Sequence, residues 1–438
     1  MNLTQLIEQQ AYYQGYTYAY PHKTSYRSFS PISLADIWAN EDKSQLFLYA
    51  HIPFCNMRCG FCNLFTTANP KQPLTIAYLE AFARQAKAAH QALGEKANFT
   101  RFALGGGTPT YLNAKELSFL FDALTCFNLD YQTIPSSVET SPETISEDRL
   151  QILKDHCIKR VSMGVQSFHK KEIRSVGRGQ HNAEVFQSIE KIKAFNFAIF
   201  NLDLIYGLAH QTPESWEKSL KTALCFEPEE IFLYPLYVRP LTGIGKFGFN
   251  WDDERMKLYQ QGRDTLLSYG YEQMSMRYFR KPIVNQLESG DYCCQQDGMI
   301  GLGCGARSYT QQVHYSSEYA VGRSGIKAIL ESYNARTEDD FSQITYGFKM
   351  DEDTQKRRFI LQSILHMTGL SPLLYQQRFK SNPFTDYPEL KALIDLQLIN
   401  LVNGVWTLTP KGLSLSDLIG PWFYAPDIEH RMNEYSLI

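Results

Sequence analysis

A chain of 438 residues, 44% of them hydrophobic and 20% charged, is long enough to bury a barrel-sized core plus a smaller unit without disulfide staples. Its 43 basic and 46 acidic residues leave a net charge of -3 with no block of like sign long enough to suggest a nucleic-acid or membrane footprint, which leaves a compact ligand as the expected partner. Nine cysteines, odd in number and mostly scattered, exclude a disulfide framework and read as thiols of a reducing compartment.

Residues 1–45 are aromatic and polar without a clear period, and are expected to form an N-terminal extension lying across the main domain. The start lacks a basic stretch followed by an apolar run, and no run of about 18 apolar residues follows anywhere, so a cytoplasmic protein with no membrane span is expected. From 46 onward, short apolar or β-branched runs alternate with helical patterns, the mark of successive βα units and a parallel sheet. Six strands are predicted, at 46–52, 99–106, 136–140, 160–166, 200–207 and 230–238. Helices are predicted at 73–93, 114–127 and 141–156, and Ser141-Pro142-Glu143 and Thr212-Pro213-Glu214 are start signals, a hydroxyl cap followed by Pro at the first position. The fold class is therefore α/β, a partial (β/α)6 TIM-type barrel over 46–340, with its chemistry on loops at the C-terminal strand ends. Residues 341–438 read as helices and a short hairpin turning at Asn403-Gly404, a winged-helix-like α+β cap. That cap has no basic stripe, so it is expected to wall or cover a substrate rather than bind DNA.

The run His51-Ile-Pro-Phe-Cys55-Asn-Met-Arg-Cys59-Gly-Phe-Cys62 directly follows the first predicted strand, on a loop where a barrel keeps its active site. Three thiolates on a four-iron cubane leave one iron open to a chelating ligand, such as the amino and carboxylate groups of S-adenosylmethionine (SAM). Zinc is the competing occupant, with His51 as a fourth ligand. Against zinc, the first gap holds three residues where zinc knuckles usually hold two, and no second Cys/His pair follows at suitable spacing. Taken alone, the cluster favours iron–sulfur and leaves zinc open. Most of the remaining cysteines, 126, 157, 225, 293, 294 and 304, are expected to be small buried hydrophobes.

Further along, Gly105-Gly106-Gly107 ends the second predicted strand, where missing side chains let backbone groups approach a ligand; the same run would also suit a tight turn. Thr108 adds a hydroxyl. Glu139 ends the third strand, and Gln166, Arg178 and Asp203 end or follow the fourth and fifth; each taken singly is as well read as a surface or packing polar group. Gly243-Ile-Gly245-Lys-Phe-Gly248 fits GxGxxG in form, but no apolar helix follows, so it is assigned to a loop with no dinucleotide role.

Five motifs in order carry a family resemblance: Tyr49-Ala-His51-Ile-Pro-Phe-Cys-x3-Cys-x-Phe61-Cys62, Gly105-Gly-Gly-Thr-Pro-Thr110, Val138-Glu139-Thr-Ser-Pro142, Arg160-Val-Ser-Met-Gly-Val-Gln166-Ser-Phe168 and Asn201-Leu-Asp203-Leu-Ile-Tyr-Gly207. Over about residues 47–310 the chain resembles the oxygen-independent coproporphyrinogen III oxidase and heme chaperone branch of the radical SAM superfamily, and more weakly through the cap. The resemblance implies a [4Fe-4S] cluster on Cys55, Cys59 and Cys62, with Tyr49, Gly106 and Glu139 against its SAM. Phe61, Gly107, Thr108, Gln166, Arg178 and Asp203 match positions that hold a second SAM in the oxidases, so one SAM or two are implied, or a substrate in the same space. Gly301-Leu-Gly-Cys-Gly305-Ala-Arg307 resembles a late motif near the SAM adenine, where Arg307 would offer its planar fork to a substrate carboxylate.

The implied activity is reductive cleavage of SAM to a 5'-deoxyadenosyl radical, with oxidative decarboxylation of a tetrapyrrole as the best-known outcome and flavodoxin or ferredoxin as reductant. Two departures stand out. Cys62 is followed by Asn63-Leu64-Phe65, without the extra cysteine of the oxidases, and Asp291-Tyr-Cys-Cys-Gln-Gln296 replaces the His-Asn pair of the heme chaperones. A heme chaperone and a radical C-methyltransferase are the alternative functions.

Overall fold

The computed structural model describes residues 2–239, 242–247, 254–284 and 298–435. The chain divides into two units, one of Met1–Tyr26, Glu254–Lys281 and Met350–Tyr435, the other of Arg27–Asp253 with Pro282–Lys349.

In the second of these, all six predicted strands are present: β1 Leu46–Ile52, β2 Phe99–Gly106, β3 Ser136–Thr140, β4 Arg160–Gln166, β5 Ile199–Tyr206 and β6 Glu230–Pro235. They run parallel in the order β1-β2-β3-β4-β5-β6, with Leu48 opposite Phe102, Val138 opposite Val161 and Asn201 opposite Glu230. Both faces of β1 are covered, as a parallel sheet requires: Leu46, Leu48, Ala50 and Ile52 on one face are fully buried, and Phe47, Tyr49 and His51 alternate on the other. The last two strands end earlier than expected, because Pro235 has no amide to extend the ladder and Gly207, at φ 82°, leaves the β region.

Four further strands extend the other edge: β7 Met299–Leu302, parallel to β1, then β8 Arg307–Tyr309, β9 Val313–Ser316 and β10 Gln343–Lys349 in antiparallel order. Beyond β10 lies Arg27–Ser33, a strand inside the stretch read as aperiodic; its Ser28, Ser30 and Pro31 hide the period of two. Among the described residues no pairing closes the order on itself, so the barrel is partial.

Helix α1, Gln72–Leu93, crosses from β1 to β2, and α2, Ala114–Ala123, starts at a capping box of Asn113 with Glu116. A correction applies to 141–156. Ser141-Pro142 opens only the 3-10 turn Pro142–Thr144, because Ile145 returns to extended geometry, and the helix proper is α3, Glu147–Asp155. Thr212 caps helix Pro213–Leu224 as its sequence signals. Among the described residues no helix is long and apolar enough to cross a membrane.

The other unit carries helices Glu352–Ile364 and Pro372–Phe379, then the hairpin Ile399–Val402 with Val405–Leu408. Asn403 and Gly404 sit at φ 51° and 81°, the left-handed pair of a type I′ turn that matches strand twist. Its buried ion pair joins Arg277 to Asp417, with the Arg277 guanidinium 3.7 Å over the Tyr16 ring.

The interior of the sheet unit holds a buried ion pair at the N-terminal strand ends. Arg160 on β4 grips Glu230 on β6 bidentately, at 2.8 and 2.7 Å, with side-chain exposures of 6% and 1%. Arg160→Met leaves Glu230 a buried, uncompensated charge, and the expected loss is about 3–5 kcal/mol in denaturant unfolding of the apo chain.

Candidate active site

The loop after β1 is irregular and is closed by bonds to its own stem. Phe54–Cys55 pairs with Thr67–Ala68, so the chain returns to its start after Cys62. His51 completes the closure. Its Nε2 lies 3.3 Å from the Phe65 carbonyl, which only accepts, so Nε2 carries the proton and Nδ1, 3.1 Å away, accepts from the Tyr49 hydroxyl. With both nitrogens engaged, His51 positions the loop, and the zinc alternative loses its fourth ligand.

Each of the three sulfurs has its own polar neighbour. Thr108 Oγ1 donates to Cys55 Sγ at 3.5 Å, Arg178 Nη1 donates to Cys59 Sγ at 3.7 Å, and the Thr66 hydroxyl is 3.9 Å from Cys62 Sγ. Such donors suit thiolate ligands of an iron–sulfur cluster, whose potential they tune. Burial pushes the Cys55 thiol up to about 12, against the Thr108 hydrogen bond and with further repulsion from Cys62 and Cys59; burial raises Cys59 as well, opposed by Arg178. A bound cationic centre removes that penalty, since a coordinating thiol is deprotonated outright. Among the described residues no three His, Cys, Asp or Glu side chains converge as ligands of one ion. A cubane instead asks each thiolate to meet a different iron, which this donor set fits.

The glycine run at the end of β2 passes close beneath this loop. A side chain on Gly107 would stand 2.9 Å from Cys55 Sγ, and one on Gly106, already at φ 120°, would stand 2.8 Å from the Ile52 carbonyl. The Gly106 amide donates to Glu139 Oε2 at 2.9 Å, and the Gly105 position abuts both that carboxylate and the Tyr49 hydroxyl. Tyr49, Gly106 and Glu139 thus lie together at the ends of neighbouring strands.

On β4 and beyond, Arg178 Nη2 donates to the Gly164 carbonyl at 2.9 Å while its other arm reaches Cys59. Gln166 holds a left-handed φ of 71° at a register shift, which turns its amide back over Gly164. Asp203 accepts from Asn201 Nδ2 at 2.7 Å, and the same amide reaches Ser162 Oγ at 2.6 Å. Asn201 and Ser162 lie within the fifth and fourth sequence motifs, which assign them no role, although Asn201 lies two residues before Asp203 and shares its face by strand periodicity. Phe61 packs on the cluster of Val176, Ile205, Leu208 and Leu236. Arg307 lies on β8, half-buried, just past the Gly303 to Gly305 turn whose last glycine abuts His51.

Of the scattered cysteines, Cys304 is buried as expected, but Cys126 and Cys157 are only half-buried and Cys225 is exposed. Cys225 is the C-cap of an amphipathic helix and Cys157 follows a helix end at φ 51°, both surface positions. Cys293 and Cys294, with the rest of 291–296, and Gly248 lie outside the described residues.

Residues 49–223 match the radical SAM superfamily. An oxygen-independent coproporphyrinogen III oxidase of Synechocystis sp. is 28% identical over 430 residues, spanning 91% of this chain and 90% of its own length. Heme chaperone HemW of Bacillus subtilis is 26% identical over 339 residues, spanning 74% and 88%. The solved structure of coproporphyrinogen III oxidase (HemN) from Escherichia coli superposes with a TM-score of 0.79 at 24% identity, over 95% of this chain and 98% of that one, which establishes the same fold.

Burial, joined by repulsion from Glu139 and Glu230 and opposed by Asn201 and Ser162, holds the Asp203 carboxyl up at about 7. The folded chain therefore keeps this proton where an unfolded carboxyl, near 3.8, has lost it. Stability contributed by this group falls as pH rises from about 4 to about 7 and is level above. Asp203→Asn is expected to flatten that slope in urea unfolding of the apo chain; an unchanged slope would show the carboxyl to be ordinary.

Proposed function

We propose that this chain belongs to the radical SAM superfamily, in the branch that holds oxygen-independent coproporphyrinogen III oxidases and heme chaperones, and that it is an oxidoreductase acting on a tetrapyrrole or another carboxylated substrate. The observation that carries the reading is the set of three thiols, each with its own polar neighbour, beside a glycine run whose amide is tied to Glu139. Bound there, a reduced [4Fe-4S] cluster and SAM would supply a 5'-deoxyadenosyl radical for hydrogen abstraction from the substrate.

The chain's own residues then have separate tasks. Cys55, Cys59 and Cys62 would hold the cluster, while Tyr49, the Gly106 backbone and Glu139 would hold and orient SAM. Phe61, Gly107, Thr108, Gln166 and Asp203 would bound the space for a second ligand, either a second SAM or the substrate. Arg178 would serve that space and Cys59 together, and Arg307 would pair with a substrate carboxylate. The electron would come from a small carrier such as flavodoxin or ferredoxin, in the cytoplasm.

Supporting the oxidase reading, similarity to the Synechocystis oxidase extends over 91% of the chain and 90% of that protein. One observation favours the chaperone. Leu64, where the resemblance puts the oxidases' extra cysteine, is 46% exposed and offers no thiol. Tyr319 meanwhile donates to the neighbouring Asn63 carbonyl at 2.5 Å.

Anaerobically reconstituted chain, given a strong reductant and SAM, is expected to release 5'-deoxyadenosine, and Cys55→Ser, Cys59→Ser or Cys62→Ser to lower that rate by at least about 100-fold. No 5'-deoxyadenosine from the wild type would overturn the enzyme reading. Coproporphyrinogen consumption supports the oxidase, a Soret band on heme addition the chaperone, and S-adenosylhomocysteine a C-methyltransferase.

A further inference from the structure

The Gly243-Ile-Gly245 run lies against the cysteine loop. Gly60, between Cys59 and Cys62, is bonded on both sides: its amide donates to the Val176 carbonyl at 2.6 Å, and its carbonyl accepts from the Ile244 amide at 2.9 Å. Contact is close enough that a side chain on either glycine would push its neighbour aside. A Cβ on Gly243 would stand 3.0 Å from Gly60 Cα, and one on Gly60 would stand 3.1 Å from both the Val176 carbonyl and Ile244 Cγ2. Beneath these backbone bonds, Phe61 and Ile244 pack on one apolar cluster of Val176, Ile205, Leu208 and Leu236.

The two sides of Gly60 are anchored differently. Val176 follows the helix Lys170–Ser175, whose Glu172 is fully buried and accepts from Ser167 at 2.6 Å, Ser215 at 2.5 Å and Gln211 at 3.1 Å. On the Ile244 side, the turn is held by Thr242, which donates to the Arg239 carbonyl at 2.6 Å and accepts from the Gly245 amide at 3.2 Å. Gly245 is required there, since a Cβ would stand 2.1 Å from that same carbonyl.

We propose that residues 242–245 form a backbone clasp on Gly60 that seats the cysteine loop and sets how firmly it retains its cluster, with Gly243 and Ile244 as positioning residues. The proposal rests on the reading that Cys55, Cys59 and Cys62 hold a cluster. Neither clasp residue need touch a reacting atom. Among the described residues the Val176 side rests on the buried Glu172 network and the Ile244 side on the Thr242 turn and the apolar packing of Ile244, so breaking the Ile244 bond speeds cluster loss without removing any ligand.

The test follows iron release to a ferrous chelator, under anaerobic conditions, from full-length chain reconstituted to about four irons. Ile244→Pro deletes the amide donor while suiting the first position of the 3-10 helix Ile244–Phe247, and Ile244→Val keeps the donor. Release from Ile244→Pro is expected to be about fivefold faster, the effect of one net hydrogen bond, with an altered EPR signal of the reduced cluster and a wild-type rate for Ile244→Val. Gly243→Ala, which presses a methyl onto Gly60, is expected to act likewise and replaces Ile244→Pro should that variant not fold. Wild-type release rates in the proline and alanine variants overturn the clasp alone, as does equal loss in Ile244→Val, which would assign the effect to side-chain packing. A wild-type chain that takes up no iron overturns the cluster reading and the clasp with it.

Discussion

Three sulfurs must be held in fixed places by a stretch of chain that has almost no regular structure of its own. Between Ile52 and Phe65 there is only the two-residue strand Phe54–Cys55, so the backbone groups of this loop find partners elsewhere. The His51 imidazole closes the loop on itself, the Gly107 amide bonds the Ile52 carbonyl at 2.8 Å, the Thr108 amide bonds the Phe54 carbonyl at 2.7 Å, and Gly60 is gripped from two sides. Order in the loop is thus borrowed from the C-terminal ends of β1, β2, β4 and β6, which explains why the cysteines sit at the barrel mouth rather than on a self-sufficient knuckle.

A second constraint runs inside the sheet. Successive strands present Ser137 and Glu139, Arg160 and Ser162, Asn201 and Asp203, and Glu230 at matching levels, a polar lining where a packed barrel would carry branched aliphatics. At the N-terminal ends this lining is neutralised by the Arg160–Glu230 pair. Toward the loops it ends in Glu139, which solvent still reaches, and Asp203, and the protein packed around them raises both carboxyls. Acids left in that condition are poised for a ligand that supplies positive charge or hydrogen-bond donors.

Much of this was legible in the chain itself. Parallel strands buried on both faces read as continuous apolar runs, so LFLYAHI and its successors were found with ends within three residues. Cys55, Cys59, Cys62, Gly106 and Glu139 were visible because chemistry at a strand end needs special residue types. What escaped was relational. No local pattern marks Arg27–Ser33 as a strand, since its partner β10 lies over 300 residues away in sequence. Val176 and Ile244 act through backbone atoms, which carry no residue signature, and Asn201 and Ser162 look like ordinary strand polar groups until Asp203 stands beside them. His51 looks like a candidate ligand in sequence, which shows a donor atom but not that both its nitrogens are engaged.

The imidazole of His51 is bordered by two glycines distant in sequence. Cβ atoms built on Gly106 and Gly305 would each stand 2.9 Å from ring atoms. The gap between the end of β2 and the turn after β7 is therefore one aromatic ring wide, with no slack for a methyl group on either side. The three positions form a single steric unit: a larger side chain at either glycine must displace the ring, or part the two loops that the ring holds in register.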